Sequence, residues 1–161
     1  MSFKPVCLAI FGLLLSGLIG CRPPVPEDPF TGLQGEWEVA SLQHEGQTTG
    51  ADALKRLSIS IRKDRFQMLE KKASALQPGG QTFDISIAEE YVLQVDPSKN
   101  PAEMQLVYPM GDKQGQLRRA IYAIEATQLN ICAAEVGKPA PTEFAVDDKP
   151  GWSLYVLRRR E

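Results

Sequence analysis

From Gly35 onward, apolar and polar residues alternate. Trp37, Val39 and Ser41 share one side of 35–42, and Leu57, Ile59 and Ile61 alternate with Ser58, Ser60 and Arg62. Beyond Lys63-Asp64, Phe66 and Met68 alternate with Arg65 and Gln67. A period of two belongs to a strand with one buried face, and two such runs about a two-residue turn predict a hairpin. The same period predicts strands over 82–87 (Phe83, Ile85, Ile87), 91–95 (Tyr91, Leu93, Val95) and 104–108 (Met104, Leu106, Tyr108). Further strands are expected over 117–124 and 129–133, about an Ala126-Thr127 turn, and over 152–157. The helical segment is "TTGADALKRL" (48–57), with Thr49 as its expected cap, Asp52 near its positive end, and Lys55 and Arg56 near its negative end. The other breaks are Gly/Pro/Asp turn chemistry: "LQPGGQ", "DPSKNP", "GDKQG", "GKPAP" and "DDKPG".

About nine short strands, each with one apolar face, must bury those faces together. A two-sheet sandwich satisfies the pattern, but an up-and-down antiparallel β-barrel of eight to nine strands, with one short helix after the first, needs no long crossings and removes exposed edges. The expected inward set is Phe66, Met68, Phe83, Ile85, Leu106, Tyr122 and Ile131. An interior of about eight strands is filled by side chains or holds one small ligand. Any ligand taken there is apolar or amphipathic.

Ahead of this domain, Val6 to Gly20 is an uncharged run of 15 residues preceded by Lys4. It is short of the roughly 20 residues a membrane-spanning helix needs and has the layout of a secretory signal. Leu18-Ile19-Gly20-Cys21 resembles the bacterial lipobox. That resemblance implies cleavage before Cys21, a thioether to diacylglycerol on its sulfur, and acylation of the new amino group. Pro23, Pro24, Pro26 and Pro29 then favour an extended spacer at about 3.1 Å per residue, holding the domain roughly 25–30 Å from the bilayer. Two or three acyl chains, each worth about 0.8 kcal/mol per buried methylene, anchor stably where one does not. Arg22 after the cysteine, by resemblance to Gram-negative lipoproteins, implies the outer membrane, facing the periplasm. The expected organisation is a signal over 1–20, a lipidated cysteine and tether over 21–31, and a barrel over 32–161.

Composition narrows the chemistry. Removing residues 1–20 takes one basic residue, Lys4, from 18, leaving 17 against 20 acidic and a formal charge of −3. Neither nucleic acid nor an anionic surface is implied as a partner, and a monomer is expected. Cys7 leaves with the signal and Cys21 carries lipid, so Cys132 has no partner for a disulfide within the chain. It reads as a buried thiol, or as one shared with another protein. His44, the one histidine, falls in a turn with no nucleophile motif beside it, so no catalytic residue is expected. Scattered carboxylates give no ligand spacing, and neither a metal nor another cofactor is expected. Glu89-Glu90 and Asp147-Asp148 read as solubilising pairs at turns. "GKPAPTEF" (137–144) is the most distinctive irregular segment, and the arginines at 158–160 read as a solvated terminus.

Five ordered segments, "LQGEWEVASLQHEG", "LSISIRKDRF", "VDPSKNPAEMQLVY", "AIYAIEATQLNIC" and "EVGKPAPTEF", resemble an uncharacterised lipocalin-like domain family abundant in planctomycete bacteria. Gly35-Glu36-Trp37 is similar to the Gly-x-Trp that opens the first lipocalin strand. The resemblance implies that Trp37 plugs the closed end of the barrel and is covered by an arginine from the last strand, Arg158 or Arg159. Two functions are expected on these grounds. The first is a lipid-anchored envelope module binding a small apolar or amphipathic ligand within the barrel, Trp37 included among the lining residues. The second is a filled-core structural or interaction module contacting another envelope protein.

Overall fold

The computed structural model describes residues 28–73 and 83–161. The expected signal over 1–20, Cys21, most of the expected tether, the expected turn over 76–81 and the Phe83 side chain lie outside the described residues. The elements run β1 (Gly35–His44), β2 (Gln47–Thr48), α1 (Ala51–Leu54), β3 (Leu57–Arg62), β4 (Arg65–Ala73) and β5 (Phe83–Asp96). β6 (Ala102–Val107), β7 (Leu117–Glu125), β8 (Gln128–Ala134) and β9 (Trp152–Arg159) complete the chain. Every neighbouring pair is antiparallel, in the order β2-β1-β3-β4-β5-β6-β7-β8-β9. β9 also pairs with β1, from Trp37↔Arg159 to His44↔Ser153, and this pairing closes an eight-stranded barrel on which β2 is a two-residue extension. Closure decides for the barrel over the sandwich. The architecture is lipocalin-like.

Expectations about three elements change. In β1 the register shifts between Val39 and Ser41, so Leu42 rather than Ser41 packs against the core with Trp37 and Val39. The helix is one turn, with Gly50 rather than Thr49 at its N-cap and no side-chain cap, and its Asp52–Lys55 pair is fully in solvent. The runs at 82–87 and 91–95 are one strand of 14 residues, and Glu89-Glu90 lies inside it rather than at a turn. Met68 pairs with Glu89 but Leu69 with Ile87, so Ala88 is an extra, bulged residue. A bulge of one residue reverses which side chains face inward. Tyr91 and Glu89 therefore point into the barrel, whereas Ile85 and Ile87 are 65% and 54% exposed on its outside. This corrects the placement of Ile85 in the interior.

The closed end is built around Trp37, which is fully buried and donates its indole N–H to the Leu33 carbonyl at 2.9 Å. The Arg159 guanidinium covers the ring at 4.3 Å and donates to the carbonyls of Gln34 and Gly32, each at 2.6 Å. Arg158, one residue earlier, faces outward and is exposed, because side chains alternate across a strand. Gly35 adopts φ 126°, and a Cβ there would lie 3.0 Å from the Arg159 guanidinium, so the first residue of the Gly-x-Trp motif must be small.

Outside the barrel, the connection from β8 to β9 folds back over Ile121 and Cys132. It inserts Val146, with Phe144 beside it, and Trp152 and Leu154 complete this second apolar cluster. Full burial of a valine is worth about 1.5–3 kcal/mol, enough to hold a proline-stiffened loop in place. The "GKPAPTEF" segment is thus the approach to a lid over Cys132.

Candidate functional site

The barrel interior is filled. Among the described residues, a void between Phe66, Met68, Tyr91, Leu106, Ile131 and Tyr155, with Glu89 and Arg118 at its border, measures about 10 Å³. That is no more than one water-sized probe. Of the expected ligand-lining residues, Phe66, Met68, Leu106 and Ile131 border this void, and Tyr122 is buried in the core away from it. Trp37 belongs to the sealed end, and Ile85 lies outside. An apolar ligand of drug size has no room inside this arrangement.

Space opens instead at the mouth, in a cup of about 360 Å³ lined by His44, Glu89, Tyr108, Lys113, Gln116, Arg118, Glu135, Val136 and Ser153. β1, β5, β7 and β9 contribute to it, as do the residue after β6 and the β6–β7 and β8–β9 connections. Its floor is a polar chain. The Tyr91 hydroxyl donates to Glu89 Oε2 at 2.6 Å and lies 3.1 Å from the Tyr108 hydroxyl. Arg118 donates from Nη1 to the Tyr91 oxygen at 3.4 Å and from Nε to the Ala134 carbonyl at 3.0 Å. Phe66 meets Tyr91 edge-to-face and Tyr91 meets Tyr108 at a tilt, with centroids 5.9 and 4.7 Å apart, so the rings that carry the hydroxyls are packed in place. Burial first, and then hydrogen bonding to Glu89 and Tyr108, pushes the Tyr91 phenol well above its ordinary value. Tyr91 is a neutral donor throughout the physiological range.

The charges in this cup are unevenly paired. Among the described residues, Arg118 is half-buried and no carboxylate lies within 4.0 Å of its guanidinium. Lys113 has no such partner either, and rests 5.2 Å over the Tyr108 ring. A guanidinium is always charged and presents five donors in a fork matched to carboxylate and phosphate oxygens. The cup therefore offers a preorganised cation with a neighbouring phenol and donors to spare.

At the rim, exposed His44 places Nδ1 2.9 Å from the Ser153 hydroxyl, and Ser153, with Ser60, is one of two buried polar residues among the described residues. The donor atoms of His44, Glu45 and Glu135 lie within 4.8 Å of one another. Serine, imidazole and carboxylate together raise the question of a triad, but neither glutamate hydrogen-bonds the imidazole. Ser153 sits inside β9 between β1 and β8, where the ladders take the backbone N–H groups an oxyanion would need.

Cys132 is fully buried under the β8–β9 lid. Burial, then the charge of Glu143, pushes its thiol up to about 11. The terminal arginines divide their roles: Arg158 is solvated, Arg159 seals the barrel, and Arg160 lies 3.7 Å from Glu38.

Glu89, Tyr108, Arg118 and Glu135 were not singled out from the sequence as site residues. A signal existed for two of them. Arg118 lies four residues before Tyr122 on the same strand and shares its face, and Glu89 shares that of Tyr91. A charged residue at an inward position of a barrel strand marks either the mouth or a buried polar site.

No protein-family model, curated protein or solved structure matches this chain. The class that fold and site define is a closed, eight-stranded, lipocalin-like barrel with a filled interior and a polar mouth.

Proposed function

We propose that this chain is a lipid-anchored binding module of the cell envelope that holds a small molecule carrying an anionic group at the mouth of its barrel. The observation that carries this reading is Arg118, a half-buried guanidinium on the floor of a cup of about 360 Å³ with no carboxylate in ion-pair range among the described residues. The volume falls within the roughly 300–1,000 Å³ of ligand pockets, and the Tyr108 ring adds an apolar wall to the polar floor. Such a surface fits an amphipathic carboxylate, head toward Arg118. The barrel then acts as a rigid platform rather than a container. Anchoring rests on the lipobox-like Leu18–Cys21 and its proline spacer, which would keep the cup in the periplasm at the outer membrane. The chain is read as a member of the lipocalin-like family it resembles and as a binder rather than an enzyme.

The test is native mass spectrometry of the full-length chain in mild detergent, against a panel of small aliphatic and aromatic carboxylates. At least one member should be retained, and Arg118→Gln should weaken it at least tenfold, because hydrogen bonds to a charged group contribute about 1.5–3 kcal/mol. Equal retention by Arg118→Gln, or no retention across the panel, would count against the proposal. One observation favours a second reading, an interaction module without a small ligand: Ile85 and Ile87 project from the outside of β5 above a filled interior. Photo-cross-linking from position 85 in the native envelope tests it, with one reproducible protein adduct expected and random labelling as the opposing result.

A further inference from the structure

We propose that the rim of the cup is a binding site for one divalent transition-metal ion, held by His44, Glu45 and Glu135. This goes beyond the anion reading and does not need Arg118. The three side chains come from segments remote in sequence: the end of β1 and the start of the β8–β9 connection. β9 brings them together by pairing with both strands. The Glu45 amide donates to the Trp152 carbonyl at 3.1 Å and the Glu135 amide to the Gly151 carbonyl at 2.7 Å, so both carboxylates hang from the same short stretch of chain.

Charge is the first reason. Two carboxylates and one imidazole have donor atoms within 4.8 Å of each other, and among the described residues neither Glu45 nor Glu135 has a cationic partner within 4.0 Å. With a neutral imidazole the set carries two negative charges, matched by one divalent ion. Metal–ligand bonds of about 2.0–2.2 Å place donors roughly 3.3–3.6 Å apart in a tetrahedral shell. Exposed side chains close that difference by rotation.

Orientation is the second. The buried Ser153 hydroxyl engages Nδ1 of His44, leaving Nε2 as the ligand atom, which is how metal-bound imidazoles are usually held in register. Glu45 Oε1 accepts from the Gly151 N–H at 2.9 Å, leaving its other oxygen to coordinate. A Cβ on residue 151 would fall 2.8 Å from Glu135 Oε2, and glycine there leaves the carboxylate its place.

The donor set names the metal class. One nitrogen with two carboxylates suits zinc and its first-row neighbours, whereas calcium and magnesium take shells of oxygen. Three protein ligands leave a fourth position open. His44 and Glu135 both line the cup, so that position is accessible from it.

The test titrates zinc into the full-length chain in mild detergent against a chromogenic chelator, with the visible spectrum of the cobalt(II) form as an independent readout. One zinc per chain is expected, not displaced by a hundredfold excess of calcium. His44→Ala and Glu135→Gln should each weaken it at least tenfold and remove the cobalt bands. Ser153→Ala should cost roughly 10–100-fold through the freed imidazole. Arg118→Gln removes a cation from the same cup and so should not weaken zinc binding, whereas it should weaken the anion, which separates failure of this site from failure of the anion cup. Absence of zinc binding, or undiminished binding in both His44→Ala and Glu135→Gln with circular dichroism unchanged, would overturn the proposal.

Discussion

Replacing Arg159 with methionine keeps an unbranched apolar stem across Trp37 but removes the guanidinium. Three contacts go with it: the stack at 4.3 Å over the indole and the two 2.6 Å hydrogen bonds to the carbonyls of Gln34 and Gly32. A cation–π contact contributes about 0.5–2 kcal/mol according to burial. Each charge-assisted hydrogen bond contributes about 1.5–3 kcal/mol when water is fully excluded. Gly32, Gln34 and Arg159 are all half-buried, so water recovers part of that sum and a loss of about 2–4 kcal/mol is expected. Arg158→Met is the control: it removes the same charge from an exposed position one residue away and should change stability by no more than about 0.5 kcal/mol. Urea unfolding of the full-length chain in mild detergent reads both. With a slope of about 2 kcal/mol per molar, Arg159→Met should lower the midpoint by about 1–2 M at unchanged slope. Equal midpoints for the two variants would refute the claim that one arginine closes the barrel while its neighbour does not.

Raised phenol values at Tyr91 and Tyr122 mean that the folded state holds protons the unfolded chain releases, so stability is full below the ordinary tyrosine value and falls as pH climbs beyond about 10. Denaturation midpoints between pH 8 and 11 should decline, less steeply in Tyr91→Phe, and a flat profile would contradict the burial of these hydroxyls. Cys132, with its thiol pushed up to about 11 under the β8–β9 lid, should resist a disulfide reagent at pH 8 until the protein is unfolded. Prompt native labelling would show the lid to be open. Gly151→Ala forces a side chain onto φ 79° and against Glu135, and should cost about 1 kcal/mol or more by thermal melting. Cys21→Ser should abolish metabolic lipid labelling and membrane association together, and retention of both would remove the lipoprotein reading.

Much of the scaffold was legible because it is local. Alternation at Leu57–Arg62 and Arg65–Met68, the Lys63-Asp64 turn between them, and Gly35-x-Trp37 are each written within a few residues. Short-range sterics and one-sided burial act on that scale. The site was less legible because parity carries from one residue to the next only until a bulge intervenes. Ala88 is such an interruption: it joins two apparent strands into one, turns Ile85 outward and delivers Glu89 to the mouth. Nothing in the local pattern of 82–95 distinguishes a bulge from a turn, because both interrupt alternation by one step.

Hydrophobic period and turn chemistry are properties of neighbouring residues, so an all-β domain, most of its strands and most of its turns are written along the chain, whereas the sealing role of Trp37 was implied by the resemblance of Gly35-Glu36-Trp37 to the lipocalin motif. Closure of the barrel through β1 and β9, its full interior, and the meeting of His44, Glu45, Arg118 and Glu135 at one mouth emerge in the folded chain alone. Those outcomes depend on side-chain volumes and strand register summed around the whole barrel, and residues brought together by closure carry no mark of one another along the chain.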